Sequence, residues 1–205
     1  MSKNSELTEL RAALDNAITY GTQKESLKVA RHALKISEDK ASPGEIRYFK
    51  GQLAMLKRDF ARAIEHFDAA ININPGDGGS YNDRALCMVE LGIIDDAVKF
   101  FDKGIEVEPD YATIYHNKGW LLNNLGEHRK AIKYFNKALE LEPKRAVTYD
   151  NLADAYFNID ELGQALECYA KVLELLKPGK CRMIRSEIKR KIKWISEQLT
   201  TLKMR

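Results

Sequence analysis

Long apolar runs are missing from this chain. No stretch of 18 apolar residues occurs, and the opening MSKNSELTELRAALDNA is polar, without the apolar centre of a secretory signal. Neither a membrane-spanning helix nor a leader is therefore expected, and the cytoplasm is the expected compartment. Cysteine is scarce: Cys87, Cys168 and Cys181 lie far apart, and none forms the closely spaced pairs that zinc or redox sites use. Free thiols follow. The four histidines, His32, His66, His116 and His128, make no HExxH pair. The glycine-rich NPGDGGSY at 74–81 lacks the lysine of a phosphate-binding loop, and no Ser or Cys stands in a pattern with a partnered base. No catalytic residue, cofactor or metal is assigned. A site made of His116 and Asp150 would be incomplete, with one imidazole and one carboxylate.

What the chain has is charge and helical pattern. Of its 205 residues 44% are hydrophobic and 31% charged, as in a globular or helical protein. Net charge is only +3, yet the residues from Lys177 onward carry ten Lys or Arg against Glu187 and Glu197. That tail is +8, which leaves −5 on everything before it.

Proline sets a period. Pro75, Pro109 and Pro143 are 34 residues apart, and the residues before them recur in step. Segments 44–77, 78–111, 112–145 and 146–179 align with small residues at Gly51, Ala85, Gly119 and Ala153, and again at Ala63, Ala97, Ala131 and Ala165. Aromatics follow at Phe67, Phe101, Phe135 and Tyr169, while Pro178 comes one residue late. Within a unit, Ala131, Ile132, Phe135, Ala138 and Leu139 fall on one helical face. The first stretch ends in Leu-Gly, a left-handed stop, and proline ends the second. Each unit is predicted to be two short antiparallel helices, close where the small residues sit.

These offsets resemble the tetratricopeptide repeat family, with Tyr81, Tyr115 and Tyr149 in its tryptophan slot. Arg47 departs from that aromatic, and Arg58 and Asp160 replace the turn glycine. Upstream, ESLKVARHALKISEDK is similar to RKAIKYFNKALELEPK, which marks a degenerate unit at about residues 7–40. The resemblance implies an all-α right-handed solenoid of about five units over residues 1–179. Residues 180–205 then form a basic amphipathic capping helix, its apolar stripe running through Ile184, Ile188, Ile192 or Lys191, Ile195, Leu199 and Leu202.

A solenoid of this family implies a concave groove lined by the first helix of each unit. Carrying the family's positions across gives Tyr48 and Gln52; Asn82, Asp83, Leu86 and Val89; His116, Asn117, Trp120 and Asn123; and Asp150, Asn151, Asp154 and Phe157. Asn117 and Asn151 are expected to offer amides to a peptide backbone, and Trp120 an apolar anchor. Trp120 packed against a neighbouring helix is the structural alternative. One subclass grips acidic chaperone tails with two lysines, an arginine and two asparagines. Here those places hold Arg11, Asp15, Asp83, Val147 and Asn151, so a neutral or basic segment is expected instead.

The expected function is that of a non-catalytic adaptor binding an extended peptide or helix of a partner protein. The alternative is nucleic-acid or anionic-surface binding through Lys189, Arg190, Lys191 and Lys193. Self-association, or an oligomeric scaffold, through Trp194, Met183 and the isoleucine stripe is the third reading; it requires the terminal helix to swing away from the stack.

Overall fold

The computed structural model describes residues 3–176 and 181–203, with side chains from residue 6 to 176 and from 181 to 200. Pro178, the expected boundary at 179/180 and the side chain of Leu202 lie outside the described residues. Eleven helices and no strand occur among the described residues: α1 (Lys3–Tyr20), α2 (Gln23–Asp39), α3 (Pro43–Leu56), α4 (Phe60–Ile73), α5 (Gly78–Glu90), α6 (Ile94–Val107), α7 (Ala112–Asn124), α8 (His128–Leu141), α9 (Ala146–Phe157), α10 (Leu162–Leu175) and α11 (Arg182–Lys203). The chain divides between Ile114 and Tyr115 into two compact units.

In the first unit each helix from α1 to α6 packs on the next. Local chemistry explains where they start. Thr22 and Glu25 form a reciprocal capping box on α2, Pro43 opens α3, and the Asp59 side chain accepts from the Arg62 amide on α4. The ends are left-handed turns. Gly92 has φ +77°, and Arg58 takes φ +62° in the same place without glycine, a conformation that costs an L-residue about 1 kcal/mol. Between the helices, Ala63, Phe67, Ala97 and Phe101 are completely buried. Gly51 is required: a Cβ there would lie 2.6 Å from the Phe67 ring.

The second unit repeats the scheme. Phe135 packs on the His116 ring and against Gly119, where a Cβ would lie 2.9 Å away, and Ala131, Ala153 and Ala165 are fully buried. Gly126 supplies one left-handed turn (φ +79°) and Asp160 the other (φ +60°). Tyr115 is buried, whereas Tyr149 is half-buried, a looser fit than the repeat alone implies. Helix α11 lays Ile188 and Ile195, each 1% exposed, on the core with α10. The Arg185 guanidinium donates to the carbonyls of Leu173 and Leu176, which α10 leaves unpaired at its end.

Candidate functional site

In the first unit the first helices of the hairpins are joined by their own side chains. Arg11 on α1 donates to both carboxylate oxygens of Glu45 at 2.9–3.0 Å and to both of Asp77 at 2.8–2.9 Å, while its guanidinium lies 3.7 Å over the Tyr48 ring. Burial pushes the Asp77 carboxyl up, but Arg11 and the Ser80 hydroxyl outweigh it and hold the group below its ordinary value.

Beneath this lock, Gln52 donates to the Tyr48 hydroxyl at 3.0 Å and to Asp83, and Asn82 donates to Asp83 at 2.9 Å. Burial raises the Asp83 carboxyl to about 7. Tyr48, Gln52, Asn82 and Asp83 are thus interior groups at most 6% exposed, and of the expected groove residues in this unit only Leu86 and Val89 keep partial access. The family register could not show this, because it does not reveal a side chain that reaches across from α1.

The second unit brings the expected residues together differently. His116 is buried, with Thr148 Oγ1 3.0 Å from its Nδ1 and the Asn151 amide 3.5 Å from its Nε2, so Asp150 is not its partner. Burial first, and the charge of Arg145 second, push the imidazole down to about 3, which leaves it neutral. Asn117 is half-buried; Trp120 is half-buried too, packed against the cluster of Leu122, Ala131 and Phe135. The Asn123 oxygen lies 2.7 Å from His128 Nδ1, and the Asn158 amide 3.5 Å from the same nitrogen.

Two sets of residues that the sequence pattern assigns to separate functions meet here. Lys191 of α11 lies 2.8 Å from Asp154 and 3.6 Å from Asp150, and 5.0 Å above the Tyr169 ring, whose hydroxyl donates to Asp154. Burial lowers the ammonium, but the hydrogen bond to Asp154 and the two carboxylates outweigh it and raise it. Lys191 is therefore committed to α9 and leaves the exposed basic patch; Lys189, Arg190 and Lys193 stay exposed, the last 3.9 Å from Glu197.

Beside this ion pair opens a cavity of about 560 Å³. Phe157 and Trp194 form an apolar wall, their rings 5.6 Å apart and inclined at 62°. Asn123 and Asn158 line it with amides, and Asp154, Glu187, Arg190 and Lys191 with charged groups. The formal charges of those four cancel. The repeat register does not point to Asn158 or Glu187; the legible signal was Trp194, an aromatic off the isoleucine stripe of α11.

Helical hairpins at a 34-residue period, with buried Ala and Phe columns and a half-open polar face, define a repeat-built protein-interaction module. Tetratricopeptide repeat models match residues 23–78, 112–145 and 146–175, together more than half of the sequence, and the chain belongs to the tetratricopeptide repeat family. No curated protein matches it. Among solved structures it is similar to TTC0263, a thermophilic repeat protein of Thermus thermophilus, at 22% identity over 93% of this chain and 98% of that one, with a TM-score of 0.70. Similarity extends to YrrB, a repeat protein with an unusual peptide-binding site (20% identity, 82% and 84% covered, TM-score 0.58). The first repeat domain of Spaghetti (RPAP3), bound to the HSP90 peptide SRMEEVD, is similar over 60% of this chain and 94% of its own (22% identity, TM-score 0.54). These likenesses show the fold. No described helix is long and apolar enough to cross a membrane.

Proposed function

We propose that the chain is a non-catalytic adaptor that holds an extended peptide or a helix of a partner protein in the cavity between α7, α9 and α11. One observation carries the reading: an aromatic pair, Phe157 and Trp194, lines the same cavity as two side-chain amides, Asn123 and Asn158. The wall accepts an apolar side chain, and the amides pair with peptide backbone. Asn117 and Trp120 share α7 with Asn123, and Asp150 and Asn151 share α9 with Asp154 and Phe157. In this reading residues 1–179 are the repeat array and 180–205 its cap. A reducing, cytoplasmic compartment suits the three unpaired thiols.

Charge supports a neutral or basic segment rather than an acidic tail. The bound peptide of the Spaghetti domain is acidic, but here Arg11, the basic residue at a tail-gripping place, is taken up by Glu45 and Asp77. Commitment of Lys191 to Asp150 and Asp154 likewise weakens the nucleic-acid alternative.

Selection of neutral, basic and acidic peptide libraries on the full chain, followed by calorimetry, tests this. Neutral or basic peptides should be enriched, and Asn158→Ala and Phe157→Ala should each weaken them roughly tenfold, the worth of one buried anchor. Enrichment of acidic peptides only, or affinity unchanged in both variants, refutes the reading.

A further inference from the structure

Helix α11 carries a second stripe that its own chain covers only in part, where the Trp194 ring meets Phe157. Met183, Glu187, Arg190 and Trp194 follow one another at steps of four, three and four residues, which keeps them on one helical face. Met183 is 86% exposed and Trp194 50%, the two most exposed large apolar side chains among the described residues. Glu187 and Arg190 are exposed too, and the Glu187 charge acts on Lys191 and Asp150 without closing an ion pair among the described residues. This face is separate from the one that holds Ile188 and Ile195 on the core.

The order of the stripe is self-complementary. Apolar, acidic, basic, apolar, read forward, faces apolar, basic, acidic, apolar when a second copy runs antiparallel. The point midway between Ile188 and Lys189 is the centre of both pairs, Met183 with Trp194 and Glu187 with Arg190. We propose that α11 pairs antiparallel with α11 of a second copy about a two-fold axis at that point. Each Met183 then sets its thioether against the other copy's Trp194, and each Glu187 faces the other copy's Arg190, giving two reciprocal ion pairs. The isoleucine stripe stays buried, so the helix does not leave its own core.

One helix-on-helix contact is small for a specific interface, so the dimer is weak, with a dissociation constant on the order of 100 µM. Sedimentation equilibrium of the full chain from roughly 20 µM to roughly 1 mM, without peptide, spans that value. Glu187→Arg puts two arginines opposite two arginines, Arg190→Glu puts glutamates opposite glutamates, and each should weaken the dimer at least tenfold. Mixing the two single variants restores complementary faces, as does Glu187→Arg/Arg190→Glu in one chain. Both should dimerise like the parent, with circular dichroism reporting unchanged helix content.

A parent chain that stays monomeric at the highest concentration overturns the proposal. So does association undiminished in both single variants, or a mixture that fails to pair. Glu187, Arg190 and Trp194 also line the proposed peptide cavity, so a bound peptide and a second copy exclude each other on this face. The sedimentation runs, made without peptide, test the dimer by itself, and failure of peptide binding does not bear on it.

Discussion

Replacing Asp83 by Asn should make the protein more stable at about pH 8. Asp83 is only 6% exposed, and the cation that acts on it, Arg11, is engaged by Glu45 and Asp77. Its carboxylate is held mainly by hydrogen bonds from Asn82, Gln52 and Tyr48, with the Arg11 charge a smaller contribution. Burial therefore wins, and the group rises from an ordinary 3.8 to about 7. For an acid raised on folding, the folded chain binds the proton more tightly than the unfolded chain between those two values. Stability from this group thus falls as pH climbs from about 4 to about 7, and is flat above. A rise of that size corresponds to roughly 4 kcal/mol as a ceiling, and relaxation around the site brings the expected gain nearer 2 kcal/mol. Asn keeps the Asn82 bond, and the Gln52 oxygen, buried without a hydrogen-bond partner, can turn to accept from the new amide. Urea denaturation of both proteins at about pH 8 and about pH 5 measures the effect. Most of that gap, on the order of 1–2 kcal/mol, should disappear at the lower pH, where the parent carries the proton. A variant no more stable than the parent at about pH 8, or a gap independent of pH, refutes the account.

Arg11→Met leaves Asp77, 8% exposed, without its cation, and should cost about 3 kcal/mol in the same denaturation. Because Asp77 is depressed, its contribution is present above its ordinary 3.8 and lost as pH falls through the folded value, so the variant should also lose part of the parent's acid sensitivity. Gly51→Ala forces a methyl group against the Phe67 ring and should lower stability by about 1–3 kcal/mol; a neutral result contradicts the close approach.

The fold was legible because its signals are local and periodic: a proline every 34 residues, Ala63 through Ala165, and Phe67 through Tyr169. Arg58 and Asp160 could have read as broken turns, yet both adopt the left-handed conformation, so the fold imposes the stop even where glycine is missing. The candidate site was less legible. Arg11 reaches Glu45 and Asp77, 34 and 66 residues away, and such pairs leave no mark on a helical period. Lys191 looked like part of an exposed basic face because nothing in the pattern of α11 announces Asp150 and Asp154 beside it.

Gly51 and Phe67, like Gly119 and Phe135, stand 16 residues apart on the two helices of one hairpin, while Ala85 and Ala153 occupy the glycine's place opposite Phe101 and Tyr169. The two kinds of hairpin are separate fits of ring to backbone. Swapping one helix between them places a methyl group where a ring already lies, or opens a void. Hairpins can be duplicated, deleted or shuffled as wholes, but not cut at the turn. Recombination within this array is therefore constrained to junctions between units, and a designer lengthening it should copy a Gly–Phe or an Ala–aromatic pair intact.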